Sequence, residues 1–414
     1  MDKKKIIVVG AGPAGVMAAI RAGQLGQEVV LIEKNSSIGR KILLSGKGRC
    51  NLTNAADQES FFKRFSRNGQ FLRDAFKKFF NTALIAFFEK NGLKLKTERQ
   101  LRVFPVTDSS ASVVEVLEKE LSRQKVEIIY NSAVQDILVG NSKIKGVILY
   151  NAKRILADKV IMATGGLSYP STGSTGDGFR IAQAYGHRIA QPLAALVALE
   201  TKQPYVKNLQ GLTLKNIKLA FTEGKKKLVS DVGELLFTDF GISGPLVLTM
   251  SGLISEWLAK NKETRVEIDL KPALSNQQLD TRFLREFKNN PRKNIRNILK
   301  DFLPIRLVDT VLGIAKITPD RKSSHITQAE RLNLVTILKA MRLDILRARP
   351  IQEAMVTRGG VDLRDINPRT MESRLIKGLY FVGELIDVDA DTGGFNLQAA
   401  FSTGYLAGES ASFN

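Results

Sequence analysis

Cysteine, histidine and long apolar runs are scarce in this sequence of 414 residues, and each scarcity excludes a class of protein. The single cysteine, Cys50, excludes an internal disulfide, a Cys-x-x-Cys redox pair and a cysteine-rich metal site. The two histidines, His187 and His325, lie far apart without companion ligands, so we predict no metal site. No run approaches the roughly 18–20 uninterrupted apolar residues that a membrane span requires. The 43% hydrophobic and 25% charged residues are instead typical of a globular protein.

The amino terminus shares two features with a secretion signal, a basic start and an apolar stretch. Three lysines at residues 3–5 precede an apolar stretch. Gly10, Gly12, Pro13 and Gly15 interrupt that stretch, and no clean small-residue cleavage site follows. The lack of disulfides also suits a reducing compartment. We therefore expect a cytoplasmic protein.

The formal net charge is +21, made up of +14 over residues 1–190, +9 over 191–340 and −2 over 341–414. Such a surplus attracts anions such as nucleic acid, acidic lipid or a phosphorylated cofactor. The sequence lacks the short Lys/Arg block or aromatic-interleaved basic stripe that marks a nucleic-acid module. We therefore favour an ordinary basic surface and do not expect a nucleic-acid partner.

The first motif lies in a predicted βαβ unit. Residues 5–10 and 28–32 are typical of buried parallel strands, with a helix predicted from 16 to 25. The turn before the helix reads Gly-Ala-Gly-Pro-Ala-Gly from Gly10, and Glu33 ends the second strand. This arrangement predicts a diphosphate at the helix N-terminus and a ribose hydrogen-bonded to Glu33, whose charge would repel a 2′-phosphate. The predicted cofactor-binding residues here are Gly10, Gly12, Pro13, Ala14, Gly15, Glu33 and Lys34.

The second motif, residues 40–54, mixes glycines with hydrogen-bond donors. Such a segment is suited to wrapping a phosphate and a polar ring edge, although a flexible basic loop has the same composition. Cys50 in this segment is expected to be a small buried residue more often than a nucleophile. The predicted cofactor-binding residues here are Arg40, Lys41, Ser45, Gly46, Gly48, Arg49, Cys50 and Asn51.

The third and fourth motifs follow two further predicted strands. One strand leads into Ala-Thr-Gly at Ala163, which is typical of a second nucleotide contact. The other delivers an acid, Glu384 or Asp387, to a ribityl chain, and the next helix would direct its N-terminus at the N1/C2=O edge of a flavin. The predicted cofactor-binding residues here are Ala163, Thr164, Gly165, Gly383, Glu384, Asp387, Gly394, Asn396, Leu397, Gln398 and Ala399, with Val134 from an earlier strand.

With these motifs, residues 6–54, 161–178 and 355–404 resemble the YhiN/BaiN-like flavoproteins, a family of NAD(P)/FAD-dependent oxidoreductases. The segments that carry the resemblance are 40–54, 168–178, 357–361, 370–373 and 383–399. The resemblance implies non-covalently bound FAD. It does not imply one substrate, because the family includes bile-acid-type enone reductases and an aminoacetone oxidase.

The fold class that follows is α/β with two domains. Residues 1–190 and 341–414 are predicted to form a Rossmann-like, two-dinucleotide-type FAD-binding domain, with a parallel sheet, helices on both faces and a small antiparallel sheet. Residues 191–340 are predicted to be an inserted α+β substrate or cap domain. Short strands are expected there to about residue 270 and helices from about 275 to 340, which matches the barrel-like insert of the resembled family.

Few residues are candidates for proton transfer. Tyr169 is the predicted proton donor, and Arg358 is predicted to orient an oxo or carboxylate group. Tyr169 packing without a chemical role is an equal alternative. Arg49 and Glu372 lie in or beside the motifs as further candidates. His187 is expected to be structural rather than catalytic.

Three functions remain open. The first is reduction of an activated C=C bond in a small or steroid-like molecule, with NAD(P)H as a transient donor, because no second Gly-x-Gly-x-x-Gly unit is present. The second is an amine oxidase that returns electrons to O₂ and forms hydrogen peroxide. The third is an RNA-linked flavoprotein, suggested by the net charge of +21.

Overall fold

A computed structural model describes residues 3–260 and 263–413 and divides the chain into two compact units. The first unit comprises the residues up to Ala195 together with those from Ile351 onward, and the second is Leu196–Pro350. The strands are β1 (Lys5–Val9), β2 (Glu28–Ile32), β3 (Thr53–Asn54), β4 (Leu95–Thr97), β5 (Arg102–Pro105), β6 (Glu127–Ile129), β7 (Val134–Gly140), β8 (Lys143–Leu149), β9 (Arg154–Leu156), β10 (Lys159–Met162), β11 (Ile189–Ala195), β12 (Leu199–Thr201), β13 (Thr213–Glu223), β14 (Lys226–Val229), β15 (Gly233–Phe237), β16 (Gly241–Ser243), β17 (Thr264–Asp269), β18 (Met341–Ala348), β19 (Val356–Val361) and β20 (Leu379–Phe381). The α-helices are α1 (Pro13–Gln24), α2 (Arg40–Leu44), α3 (Gln58–Phe62), α4 (Arg73–Lys78), α5 (Asn81–Lys90), α6 (Ser110–Arg123), α7 (Asp177–Ala184), α8 (Pro245–Ala259), α9 (Asn276–Asn289), α10 (Ile295–Leu299), α11 (Ile305–Ala315), α12 (Gln328–Lys339) and α13 (Phe395–Phe413).

The first unit is built on a parallel sheet of strand order β20-β10-β1-β2-β6. Strands β1, β2 and β10 are short apolar runs with nearly every residue buried, as expected of strands covered on both faces. Helix α13 lies close against α1 because Gly404 and Gly408 carry no side chain. A Cβ at either glycine would strike the carbonyl oxygen of Ala14 or Ala18.

Three small antiparallel sheets complete this unit: β3-β5-β4, β7-β8-β9 and β11-β19. The predicted hairpin at residues 140–142 joins β7 to β8. Asn141 and Ser142 both have a φ of 53°, which the right-handed twist of a tight hairpin favours at its two central residues.

The second unit contains an antiparallel barrel with its own buried core. The strands follow the order β13-β15-β16-β12-β18-β17, and β17 pairs in turn with β13, which closes the ring. Strand β14 pairs with β13 on the side opposite to β17. Helices α9 to α12 lie in the region predicted to be helical. The predicted fold class, a Rossmann-like domain with a barrel-containing α+β insert, is confirmed.

Two details of the second unit differ from the expectation. Residues 245–259 form helix α8 within the stretch predicted as strands, because Gly244-Pro245 starts a helix with proline at its first position. Strand β18 pairs with β12 and β17, so residues 341–350, predicted in the first domain, lie in the second unit, whereas residues 191–195, predicted in the insert, lie in the first. Among the described residues, no helix is both long enough and apolar enough to cross a membrane.

Candidate cofactor site

Three sequence motifs meet at one edge of the parallel sheet. Strands β1, β10 and β20 are adjacent and parallel, and their carboxyl ends lead into Gly10, Ala163 and Gly383. A Cβ at Gly10 would lie 2.6 Å from the oxygen of Ala163, and one at Gly383 would lie 2.8 Å from the Cβ of Ala14. Carboxyl ends of parallel strands form the ligand-binding edge of such sheets.

The three glycines of the first motif have different surroundings. Gly10 has a φ of +99°, and a Cβ at Gly15 would strike the oxygen of Gly10, so the turn itself requires both residues to be glycine. Gly12 has a φ of −76°, which any residue adopts, and no protein atom lies within 4 Å of a Cβ there. The space beside Gly12, at the N-terminus of α1, therefore fits the diphosphate of a dinucleotide.

Glu33 is buried and held beside this turn. Its Oε2 accepts a hydrogen bond from the N–H of Ala11 (2.7 Å), and its Oε1 accepts from the backbone and side chain of Asn35 (2.8 and 2.6 Å). Because a carboxylate oxygen can accept two hydrogen bonds, Oε2 retains capacity for a ribose hydroxyl. The neighbouring Lys34 instead contacts Asp177 (2.6 Å), and Arg40 donates to the side chain of Asn35 (2.8 Å).

A hydrogen-bonded group of four residues joins the second motif to the fourth. Lys41 Nζ lies 2.6 Å from Ser168 Oγ and 2.6 Å from Glu384 Oε2. Glu384 Oε1 accepts hydrogen bonds from Ser168 Oγ (2.6 Å) and from the N–H of Thr357 (2.9 Å). We call Lys41, Ser168, Thr357 and Glu384 the Lys41–Glu384 network. The network compensates the Glu384 charge and fixes its orientation.

The two acids predicted as alternatives in the fourth motif have different partners. Glu384 belongs to the Lys41–Glu384 network. Asp387 instead accepts hydrogen bonds from Arg67 Nη2 (3.1 Å) and Asn68 Nδ2 (3.0 Å). Of the two, Glu384 is therefore the acid that the structure brings together with the other motif residues.

The loop at residues 45–50 has an unusual backbone. Gly46 and Gly48 have positive φ values, and so do Lys47 and Cys50, at 58° and 59°. Non-glycine residues in this conformation store strain and occur often at ligand sites. Cys50 is fully buried, and burial raises the pKa of its thiol to about 11. Cys50 is thus a buried thiol rather than an activated nucleophile.

Arg49 has its charge engaged by protein groups. Its guanidinium forms ion pairs with Glu98 (2.5 Å) and Asp108 (2.5 Å), and it lies 4.2 Å above the ring of Phe104. Arg49, predicted to bind the cofactor, therefore ties the loop at residues 45–50 to the region around β5.

Helix α13 begins where the second and fourth motifs meet. Asn54 Nδ2 donates to the oxygen of Gly393 (3.2 Å), and a Cβ at Gly394 would strike the backbone of Thr53. The N–H of Gln398 donates to Gly394 O (3.0 Å), so residues 395–397 have N–H groups without an acceptor inside the helix. Their partial positive charge fits the electron-rich edge of a flavin ring.

Several predicted residues have side chains that are used inside the protein. Gln398 is fully buried and bonds to Thr53 Oγ1 (2.6 Å) and Ser402 Oγ (2.9 Å). Asn396 bonds to both the N–H and the carbonyl of Ala390 (2.9 and 2.8 Å). Both side chains hold the first turn of α13 in place. Of the remaining predicted residues, Val134 and Ala399 are buried, Leu397 is half-buried, and the buried hydroxyl of Thr164 lacks a hydrogen-bond partner within the described residues.

The two predicted catalytic residues lie in constrained surroundings. Arg358 is buried, with Nη2 2.9 Å from Asp389 Oδ2. Tyr169 is half-buried at a φ of +50°, and its N–H donates to Gln352 O (3.3 Å). His187, by contrast, is enclosed: its ring nitrogens contact Ala182 O and Ser373 Oγ, and burial lowers its pKa.

Sequence reasoning missed two acids close to Arg358. Asp389 is its ion-pair partner. Asp391 lies 3.6 Å from Arg64 Nη1, and burial raises its pKa to about 6 although Arg64 acts in the opposite direction. The alternation of acids at 387, 389 and 391 in an extended segment was the available signal.

A family model described as HI0933-like protein Rossmann domain matches residues 4–410. The chain belongs to the HI0933-like family. It is a flavin-dependent oxidoreductase with a Rossmann nucleotide-binding fold, and the predicted membership of the YhiN/BaiN-like group is confirmed.

Two relatives match this HI0933-like chain over nearly its whole length. It is 35% identical over 411 residues to the 3-dehydro-bile acid delta(4,6)-reductase of Clostridium scindens, covering 98% of each chain. It is 32% identical over 410 residues to the ribosomal RNA dihydrouridine synthase of Escherichia coli, covering 99% of this chain and 98% of the relative. Among solved structures, a 3-ketosteroid-delta4-(5alpha)-dehydrogenase from Rhodococcus jostii shares the fold, with a TM-score of 0.55 and 15% sequence identity. The match covers 100% of this chain and 97% of the dehydrogenase chain.

Proposed function

We propose that this enzyme reduces a C=C bond conjugated to a carbonyl group, with non-covalent FAD as cofactor and NAD(P)H as electron donor. The observation that carries the proposal is the likeness, over 98% of both chains, to a relative named as a bile-acid delta(4,6)-reductase. The second relative is named for dihydrouridine synthesis, which also saturates a carbonyl-conjugated C=C bond. One class of reaction thus accounts for both names.

FAD in particular is supported by four features of the candidate site. The open space beside Gly12 would take its diphosphate, Glu33 its adenosine ribose and Glu384 its ribityl hydroxyls. The N-terminus of α13 would face the N1/C2=O edge of its ring. When bound and reduced by NAD(P)H, FAD would supply the hydride that adds to the carbon β to the carbonyl group.

The roles of the chain's own residues concern orientation and the proton. In this proposal Arg358 holds the substrate oxygen, because Asp389 fixes its guanidinium in one orientation. The Tyr169 hydroxyl gives the proton to the α carbon, so that one hydride and one proton together saturate the bond. The half-buried position of Tyr169, beside Ser168 of the Lys41–Glu384 network, supports this role.

The test is an anaerobic spectroscopic titration. We expect NADPH or NADH to bleach the visible flavin band, and a carbonyl-conjugated alkene to restore it with formation of the saturated product. A Tyr169→Phe variant should be reduced by NAD(P)H at the parent rate and re-oxidised by the alkene about a hundredfold more slowly. If only an amine bleaches the flavin band, and hydrogen peroxide forms in air, the enzyme is an amine oxidase and the reductase proposal is wrong. Failure to bind FAD would overturn it.

RNA uridine is a second candidate substrate, favoured by charge. The uracil ring contains a carbonyl-conjugated C=C bond, so the proposed chemistry is unchanged. We propose the second unit as the substrate domain. Its net charge is +11, whereas the first unit, which has more residues, carries +10, so the second unit has the higher charge per residue. A dense positive charge favours a polyanion over a neutral steroid-like molecule.

A further inference from the structure

We propose that one basic surface of the second unit binds the RNA backbone, an inference that rests on the second candidate substrate. The surface consists of residues 288–296 and 319–325, which we call the paired basic segments. In the sequence they are separated by more than twenty residues, and neither is a concentrated basic block. Only the folded chain brings them side by side.

Backbone hydrogen bonds hold the two segments together. The N–H of Ile295 donates to Arg321 O (2.9 Å), and the N–H of Ser323 donates to Lys293 O (3.0 Å). Asn294 and Lys322 form an antiparallel bridge, and Lys322 Nζ donates to Asn294 Oδ1 (2.8 Å). This pairing presents the basic side chains on a fixed backbone, which lowers the entropy lost when a ligand binds.

About half of the basic side chains of this surface have an acidic partner. The paired basic segments contain six lysines and arginines and one acid, Asp320. Asp301, Asp309 and Glu330 pair with Lys293, Arg296 and Arg321, respectively. Three exposed residues have no carboxylate within 4 Å in the described part of the chain, and these are Lys288, Arg292 and Lys322.

A second lysine-rich site provides a contrast. Lys225, Lys226 and Lys227 are exposed at the turn between β13 and β14. Strand β14 lies at the end of its sheet, where lysines protect a free strand edge from pairing with other chains. The paired basic segments have no such edge to protect, so phosphate binding is the role we assign to them.

The test compares two triple variants of the full-length holoenzyme. Lys288→Gln/Arg292→Gln/Lys322→Gln removes three charges from the paired basic segments, and Lys225→Gln/Lys226→Gln/Lys227→Gln removes three from the hairpin. Binding of a fluorescein-labelled, uridine-containing RNA hairpin is measured by anisotropy between about 50 and 200 mM salt. Thermal unfolding of both variants confirms that they fold.

We expect the first variant to bind RNA at least tenfold more weakly, with the slope of log K against log salt smaller in magnitude by about 2 to 3. The hairpin variant should remain within about twofold of the parent. Equal losses in both variants would mean that only net charge acts and would overturn the assignment, and so would no loss in the first.

Reduction of a small carbonyl-conjugated alkene separates this proposal from the proposed function. That activity should be unchanged in both variants. If the parent reduces the alkene but binds no RNA at low salt, the surface assignment fails and the reductase proposal stands. If RNA binds at the paired basic segments but no alkene is reduced, the reductase proposal fails and the surface assignment stands.

Discussion

Lys41 and Glu384 form an ion pair of 2.6 Å between residues 343 positions apart in the chain. Both side chains are about three-quarters buried, and Ser168 bonds to each of them. The pair connects helix α2, which follows the first βαβ unit, to the segment between β20 and α13. It therefore couples the conformations of two motifs that are expected to contact the same cofactor.

The first prediction concerns this pair. A Lys41→Met variant leaves the mostly buried Glu384 without its counter-charge, so the carboxylate is held only by the hydrogen bonds from Ser168 and Thr357. We expect the Kd for FAD to rise about tenfold, equivalent to ~1.4 kcal/mol, measured by flavin fluorescence. The matched control is Arg331→Met, which breaks an ion pair of similar burial with Asp280 (2.7 Å) in the second unit. An equal loss of FAD affinity in both variants would contradict a role for the pair at the cofactor.

The second prediction concerns Gly12. A Gly12→Ala variant adds a methyl group that meets no protein atom, so the stability of the apoprotein should be unchanged or slightly raised. The same methyl group enters the space expected for the diphosphate, so FAD affinity should fall about tenfold or more. Gly313→Ala is the control, because a Cβ at Gly313 in α11 is also free of contacts. Unimpaired FAD binding by the Gly12 variant would show that the diphosphate lies elsewhere.

The third prediction concerns Cys50. Its thiol is fully buried with a pKa of about 11, so few molecules carry the reactive thiolate at pH 8. In the native protein we expect almost no reaction with a disulfide reagent over an hour, and one thiol per chain after unfolding in guanidinium. Rapid labelling of the native protein would mean that the loop at residues 45–50 opens readily.

The fourth prediction uses two acids with opposite pKa shifts. Burial raises the pKa of Asp391 from the unfolded value of about 4 to about 6, so this group destabilises the fold increasingly between pH 4 and 6 and to the full extent above pH 6. Asp391→Asn should therefore raise the Tm of the apoprotein at pH 7–8 and leave it unchanged near pH 4.

Asp362 provides the opposite case. Hydrogen bonds from Arg364 lower its pKa to about 2, so its carboxylate stabilises the fold above the unfolded pKa of about 4. Asp362→Asn should lower the Tm at pH 7, with a difference that shrinks as the pH falls toward 2. Parallel pH profiles for the two variants would contradict this assignment of the shifts.

The sequence by itself determined the parallel strands and the four motifs, whereas the barrel of the insert was expected only from the family resemblance. The strands and the motifs depend on local features: short β-branched runs, glycines at turns of positive φ, and acids at strand ends. Gly10 is such a case: the apolar run before it predicts the strand, and its place in the Gly-x-Gly-x-x-Gly pattern predicts a tight turn, which the structure shows with a φ of +99°. Helix α8 was missed because its apolar residues lie between strands and show little helical periodicity.

Only the tertiary structure decided which polar side chains meet. Glu384 and Asp387 were equivalent in the sequence, and their partners Lys41 and Arg67 are more than 300 residues away. The sequence predicted Arg49 as a cofactor-binding residue, and only the folded chain shows that Glu98 and Asp108 form ion pairs with it. Hydrophobic periodicity predicts which face of a helix or strand is buried. The pairing of charges that are distant in sequence depends instead on how whole elements pack, so no local sequence pattern predicts it.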